Sequence, residues 1–274
     1  MTNNFSPAPK KSLGQHWLHD EQTLRAICDA AEVAAGDAVL EVGPGLGTLT
    51  RQLLHRGAQV TAVEFDPTLA AQLPRNLEDG PLDATALANL AIVQQDILRF
   101  DLTTLPTGYK VVANIPYYLT SNLIRVLCES TNPFSVAAIL IQKEVAERVA
   151  ARPGDMSILS VSAQYYCEVS LGPVVPAALF TPPPKVDSQV LVLHRRVQPL
   201  FNNVDTRAFF RVVKAGFSQK RKTLVNALSG GLAISKEDAR QLLTAAGIPE
   251  SARAQALSLQ QWHALYLAAP SHPS

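Results

Sequence analysis

No apolar run in this chain reaches the roughly 18 residues that a membrane-crossing helix needs, although 47% of its 274 residues are hydrophobic. That content is instead broken into short segments, enough for the core of one large domain plus a smaller one. Cysteine is scarce. Cys28, Cys128 and Cys167 are odd in number, widely separated and without a Cys-x-x-Cys pair, which argues against a disulfide framework or a zinc site. An excess of either charge is also missing. With a net charge of +1 and a pI near 7.8, a generally basic nucleic-acid coat is absent, and any such binding must come from local clusters. Residues Met1 to Lys11 lack the apolar centre of a secretory leader. A cytoplasmic protein with no membrane and no metal partner is expected, with a monomer as the default.

What the chain does have is alternation. Apolar positions at helical spacing over 20–35 are followed by a buried-strand pattern at Ala38–Val42, a helical pattern at 48–56 and a strand at 59–65 that contains Glu64. Further on come helix 68–77, strands 91–95 and 110–115, helix 120–129, strand 136–142, and helices 143–151 and 157–166. The stretch 79–89 reads as a loop insertion. Strands alternating with helices predict an α/β domain on a mainly parallel sheet. Two late strands, 168–174 and 188–195, suit a closing edge. From Asp205 the pattern is helical, at 205–217, 219–229, 235–246 and 258–268, with Asp205, Ser218 and Ser235 as caps and Gly230-Gly231 and Gly247 as stops. The expected organisation is a first domain over 1–200, opened by an arm at 1–19, and a smaller all-helical domain over 201–274.

Between the first strand of that alternation and its helix stands Glu41-Val42-Gly43-Pro44-Gly45-Leu46-Gly47. Glycines there let backbone approach a ligand that a Cβ would exclude. A nicotinamide-dinucleotide loop would need a third glycine where Thr48 stands. The spacing E-x-G-x-G-x-G resembles instead the first motif of Rossmann-like methyltransferases that bind S-adenosylmethionine. Glu64 lies 21 residues after Gly43, where a carboxylate can accept from two ribose hydroxyls. Asp96 closes the next strand and offers an acceptor to the adenine amine.

The strand at 110–115 delivers Asn114-Ile115-Pro116-Tyr117 to the carboxyl edge of the sheet, where ligands of α/β proteins bind. An exocyclic amine on a planar base is a poor nucleophile because its lone pair is delocalised. An amide oxygen from Asn114 and a backbone carbonyl from Ile115 can accept its two hydrogens and favour a pyramidal, attacking nitrogen. Pro116 stiffens the turn, and Tyr117 offers a stacking face to an extruded base. This tetrapeptide is similar to the Asn/Asp/Ser-Pro-Pro-Tyr/Phe motif of methyltransferases that act on amines. Its Ile at the second place resembles the narrower form found in ribosomal RNA adenine dimethyltransferases.

Nearly the whole chain shares that resemblance, and closely with the small-subunit (16S) type. The matching stretches are Lys11–Leu18, Glu41–Thr50, Asn114–Tyr118, Leu140–Arg148, Phe180–Ser188 and Phe217–Leu224. The resemblance implies transfer of methyl groups to two adjacent adenosines in the 3′-terminal hairpin loop of 16S rRNA, within the immature 30S subunit. It implies S-adenosylmethionine as cofactor, held by His16, Leu18, Gly43, Gly45, Gly47, Glu64, Asp96 and Asn114. Asn114, Ile115, Pro116 and Tyr117 would handle the target base, with Phe180 on its other face. The chain departs from the family's usual residues at His16, Trp17, Tyr118 and Asn122.

Lys185, Arg211, Lys214, Lys220, Arg221 and Lys222 are the candidate RNA-binding cations, with Lys10-Lys11, Arg195-Arg196 and Arg207 adding charge. Lys220 to Lys222 are expected to open a helix after Ser218. Two other functions compete: a 23S rRNA adenine dimethyltransferase of the macrolide-resistance type, and a non-catalytic ribosome-assembly factor.

Overall fold

The computed structural model describes residues 14–78, 82, 84–219 and 221–269. The chain runs β1 (Trp17–Leu18), α1 (Glu21–Ala30), β2 (Ala38–Val42), α2 (Thr48–His55), β3 (Gln59–Glu64), α3 (Pro67–Glu78), α4 (Ala84–Ala88) and β4 (Leu90–Gln94). It continues through β5 (Lys110–Asn114), α5 (Thr120–Glu129), β6 (Val136–Gln142), α6 (Lys143–Val149), α7 (Ile158–Tyr166), β7 (Cys167–Val175), β8 (Phe180–Thr181) and β9 (Ser188–Arg195). The last helices are α8 (Thr206–Phe217), α9 (Leu224–Leu232), α10 (Lys236–Ala245) and α11 (Leu259–Ala268). Residues 1–13, most of the expected arm, and Lys220 lie outside the described residues.

Seven strands form one sheet in the order β4-β3-β2-β5-β6-β9-β7. The pairs β2–β3, β3–β4, β2–β5 and β5–β6 are parallel, whereas β9 runs antiparallel to β6. This is the expected α/β, Rossmann-like sheet. From β2 the chain winds outward to β3 and β4, then returns to β5 on the other side of β2 and winds the opposite way. That reversal opens a crevice at the carboxyl ends of β2 and β5. The inner strands are apolar on both faces, as parallel strands covered by helices must be; Leu40, Val111, Val112, Ala113 and Ile139 are fully buried.

Two compact units result, residues 1–146 with 168–195 and residues 147–167 with 196–274. Residues 147–167, expected with the first domain, fall in the second unit because α7 carries its aromatic side chains. The Tyr165 ring stacks on Phe209 at 5.1 Å and meets Phe210 edge-on at 5.5 Å, and the Leu200 amide donates to the Tyr165 carbonyl at 2.8 Å.

Within the second unit Asp205 caps α8, accepting from the Arg207 and Ala208 amides, and Ser235 caps α10 with a reciprocal bond to Asp238. The helix expected from 219 begins instead at Leu224. Ser218 closes α8 at its carboxyl end, its hydroxyl donating to the Ala215 carbonyl at 2.7 Å, and Lys222 turns back on Gln219. Arg221 and Lys222 therefore sit in the α8–α9 turn, not on a helix. Gly230 and Gly231 do not stop α9, which runs on to Leu232. A Cβ on Gly231 would stand 2.6 Å from the Ala215 Cα, so this glycine is what lets α9 lie against α8. Residues 84–88, expected in a loop, form the short helix α4.

Adjacent glycines should consequently behave in opposite ways. Gly231→Val must push α9 off α8 and is expected to cost about 2 kcal/mol. Gly230→Ala meets only the flexible end of Gln219 at 3.3 Å and should gain up to about 1 kcal/mol from helix propensity. Urea unfolding midpoints of the two variants check the signs.

Candidate active site

The crevice at the carboxyl ends of β2, β3 and β5 holds a cavity of about 280 Å³. Its floor is the glycine loop. The Gly43 amide donates to the Val63 carbonyl at 2.9 Å, and the Gly47 amide to Pro44 at 2.9 Å, which folds the loop into a tight turn ahead of α2. Gly45 has φ +57°, and a Cβ there would stand 2.8 Å from the Trp17 indole, so a side chain is excluded by both backbone and neighbour. Gly43 and Gly45 line the cavity; Gly47 does not, and a Cβ on it would meet Leu73 at 2.7 Å. Its place is helix packing.

Glu64 ends β3 and is almost wholly buried, at 6% exposure. It accepts from the Gly45 amide at 3.1 Å and the Asp66 amide at 2.9 Å. Burial raises its pKa while these two amides oppose the rise. Asp96 follows β4, caps a short turn by accepting from the Leu98 amide at 3.0 Å, and faces the same cavity.

The opposite wall is Asn114–Tyr117, carried by the end of β5. Pro116 holds φ at −56°, and its carbonyl accepts from Leu119 at 3.0 Å, closing a single 3₁₀ turn over Tyr117–Leu119. The Tyr117 hydroxyl bonds Ser188 Oγ, the first residue of β9, at 2.9 Å. Burial raises the Tyr117 pKa, with the Ser188 bond opposing, so the phenol stays protonated at neutral pH. His16 lies 6.1 Å from the Tyr117 ring in a stacked arrangement, and its Nδ1 meets the Pro182 carbonyl at 2.7 Å. Leu18 pairs with Phe180 and Trp17 with Thr181 in the β1–β8 ladder, and Thr48 Oγ1 donates to the Leu18 carbonyl at 2.9 Å. The segment 14–18 and Phe180 thus close one side of the cavity.

Of the residues singled out in the sequence, His16, Leu18, Gly43, Gly45, Glu64, Asp96, Asn114, Ile115, Pro116, Tyr117 and Phe180 all line this cavity. The cation candidates do not. Lys185 is exposed on the β8–β9 connection, and Arg221 and Lys222 are exposed in their turn. Arg211 and Lys214 line a shallow depression on α8 with Arg207, Ala215, Ser218 and Gly231. Lys220 lies outside the described residues.

Trp17, Phe65 and Ile97 are among the further lining residues that the sequence did not assign to the site. Trp17 packs on the glycine loop. Phe65 follows Glu64 and is 57% exposed, and Ile97 follows Asp96. For Phe65 and Ile97 the available signal was an apolar residue directly after each acid, Glu64 and Asp96.

The lining chemistry discriminates among cofactors. Two carboxylates, Glu64 and Asp96, face the cavity, and among the described residues no Lys or Arg lines it. Two carboxylates favour a positively charged nucleoside whose hydroxyls and amine can donate to them. S-adenosylmethionine has that character, and its hydroxyls and amine match the two acceptors.

Glu41, on β2 beneath the loop, is fully buried beside Thr50, the pair lying outside normal hydrogen-bond geometry. Burial pushes its pKa up to about 8; Thr50 opposes the rise and the nearby Glu64 charge adds to it. A carboxyl raised above its unfolded value near 4.5 keeps its proton longer in the folded state. Its contribution is full below about pH 4.5 and is lost as pH climbs to about 8. Glu41→Gln should therefore melt higher than the parent at pH 8, with the gap closing toward pH 5, as thermal scans across that range will show.

A family model described as ribosomal RNA adenine dimethylase matches residues 8–269. The chain is 38% identical to the ribosomal RNA small subunit methyltransferase A of Dehalococcoides mccartyi, over 100% of this chain and 92% of that protein. It is 41% identical to the protein of the same name from Streptococcus equi subsp. zooepidemicus, over 92% of this chain and 89% of that one. Among solved structures, the 23S rRNA methyltransferase ErmE superposes with a TM-score of 0.70 at 30% identity, covering 92% of this chain and 98% of that one. A dimethyladenosine transferase from Plasmodium falciparum gives 0.74 at 25% identity, over 92% and 96%. With Glu64 and Asp96 facing one crevice and an Asn-Ile-Pro-Tyr wall across from them, the chain belongs to the ribosomal RNA adenine dimethylase family.

Proposed function

We propose that this protein transfers methyl groups from S-adenosylmethionine to the N6 amines of two adjacent adenosines in the 3′-terminal hairpin loop of 16S rRNA, acting in the cytoplasm as a monomer on the immature 30S subunit. The observation that carries the reading is a single cavity with Glu64 and Asp96 on one side and Asn114–Tyr117 on the other. Relatives 38% to 41% identical over nearly the whole chain carry a small-subunit name, whereas the 23S enzyme ErmE is 30% identical. These identities favour the small-subunit substrate over the large-subunit one. The intact Asn114–Tyr117 wall favours catalysis over a purely binding role in assembly.

Bound S-adenosylmethionine would supply an electrophilic methyl group on sulfur. Glu64 would hold the ribose hydroxyls with the carboxylate edge left by its two amide bonds, and Asp96 would accept from the adenine amine. Phe65 and Ile97 would cover the adenine faces, and the segment 14–18, with His16 and Leu18, would shut out water. On the acceptor side, the Asn114 amide oxygen and the Ile115 carbonyl accept the two N6 hydrogens and localise the lone pair toward the methyl. Tyr117, fixed through Ser188, stacks on the extruded base, and Phe180 bounds its other side. Transfer would break the methyl–sulfur bond, leave S-adenosylhomocysteine as a neutral thioether and make the nitrogen cationic, so that its acidified proton could depart to water without a dedicated base. Lys185, Arg211, Lys214, Arg221 and Lys222, with Lys220, would grip phosphates.

Purified protein is expected to methylate immature 30S particles and to leave protein-free 23S RNA untouched; transfer only to the latter would reverse the substrate choice. Asn114→Ala should keep particle binding while lowering transfer by at least about a hundredfold, the scale of losing an oriented polar contact in the transition state. Unchanged methylation by that variant contradicts the mechanism. Glu64→Ala should weaken cofactor binding in calorimetry and leave RNA affinity intact.

A further inference from the structure

Tyr118 directly follows the proposed base-stacking residue Tyr117, yet it is 66% exposed, the most exposed aromatic residue of the cavity lining among the described residues. The local geometry explains the contrast. Residues Tyr117–Leu119 form one 3₁₀ turn, in which successive side chains point about 120° apart. Bonding the Tyr117 hydroxyl to Ser188 turns that ring inward, so the turn must direct Tyr118 outward. The Tyr118 ring lies close to Gly14, at the rim on the Asn114–Tyr117 side. Phe65, the other exposed aromatic of the lining, stands at the end of β3 on the Glu64 side.

A single-stranded substrate imposes a requirement on that rim. When one nucleotide is extruded into the cavity, the next nucleotide of the strand is held within one backbone repeat of it and has lost its own stacking partner. An exposed, rigidly based aromatic at that place can restore the lost stacking without reading sequence. We propose that Tyr118 is a positioning residue whose ring stacks on the nucleobase next to the target adenosine. It holds the strand in register while either of two neighbouring adenosines occupies the cavity. This inference rests on the rRNA reading of the site above.

The role predicts a loss in substrate engagement, separable from cofactor binding and from folding. Tyr118→Ala should raise the KM for the RNA substrate by roughly 5- to 150-fold, the range produced when a base-stacking aromatic is replaced by alanine. S-adenosylhomocysteine affinity and melting temperature should stay at parent values. Tyr118→Phe and Tyr118→Trp, which keep a ring, should restore the KM. The assay is steady-state methyl transfer to whichever rRNA the parent protein methylates, immature 30S or protein-free 23S. The proposed function and the Tyr118 role are therefore judged separately. An unchanged KM in Tyr118→Ala, or a Tyr118→Phe variant as impaired as the alanine one, overturns the stacking role while the parent's activity stands. A parent inactive on both RNAs overturns the proposed function and this inference with it.

Discussion

Glu64 sets the geometry on which everything else depends. Its carboxylate, buried at the end of β3, takes one hydrogen bond from the glycine loop at Gly45 and one from its own following turn at Asp66. A buried carboxylate without such partners would be costly. Here the partners are backbone amides that must be presented in a fixed orientation, so the acid and the loop position each other. The loop can reach Glu64 only because Gly45 carries no side chain to strike Trp17, and Trp17 is held by the β1–β8 ladder that also brings in Phe180. One electrostatic requirement thus links the cofactor floor, the amino-terminal segment and the far wall.

Glu41 and Glu64 divide the labour of two nearby acids. Glu41 is the more deeply buried of the two, and burial favours its neutral form. Glu64 lies nearer the cavity with amide donors that support its charge. A proton kept on Glu41 spares Glu64 the repulsion of a second buried anion, which leaves it the better acceptor for hydroxyl groups.

The sequence was most legible where local pattern and tertiary role agree. Strands 136–142 and 188–195 and helix 120–129 have the expected bounds, because buried apolar runs and helical spacing leave little alternative. The cavity lining was readable because its residues sit at strand ends, where spacing in the chain maps onto neighbouring positions in space. Less legible were features decided by partners distant in sequence. Gly231 reads as a helix stop until Ala215 is placed beside it, and Gly47 reads as a cofactor glycine until Leu73 and Leu77 appear. Residues 147–167 follow the first domain in sequence, but their aromatic side chains meet Phe201, Phe209 and Phe210. The outward turn of Tyr118 depends on the Tyr117–Ser188 bond across 71 residues, which no local pattern encodes.

In the proposed complex Glu64 and Asn114 face one bound donor from opposite sides of one cavity. A crystal structure of the protein with S-adenosylhomocysteine tests this arrangement most directly. Both ribose hydroxyls are expected on the Glu64 carboxylate, the adenine amine at Asp96, and the sulfur turned toward Asn114–Tyr117. A ligand whose ribose lies away from Glu64, or whose sulfur points away from Asn114, would contradict it.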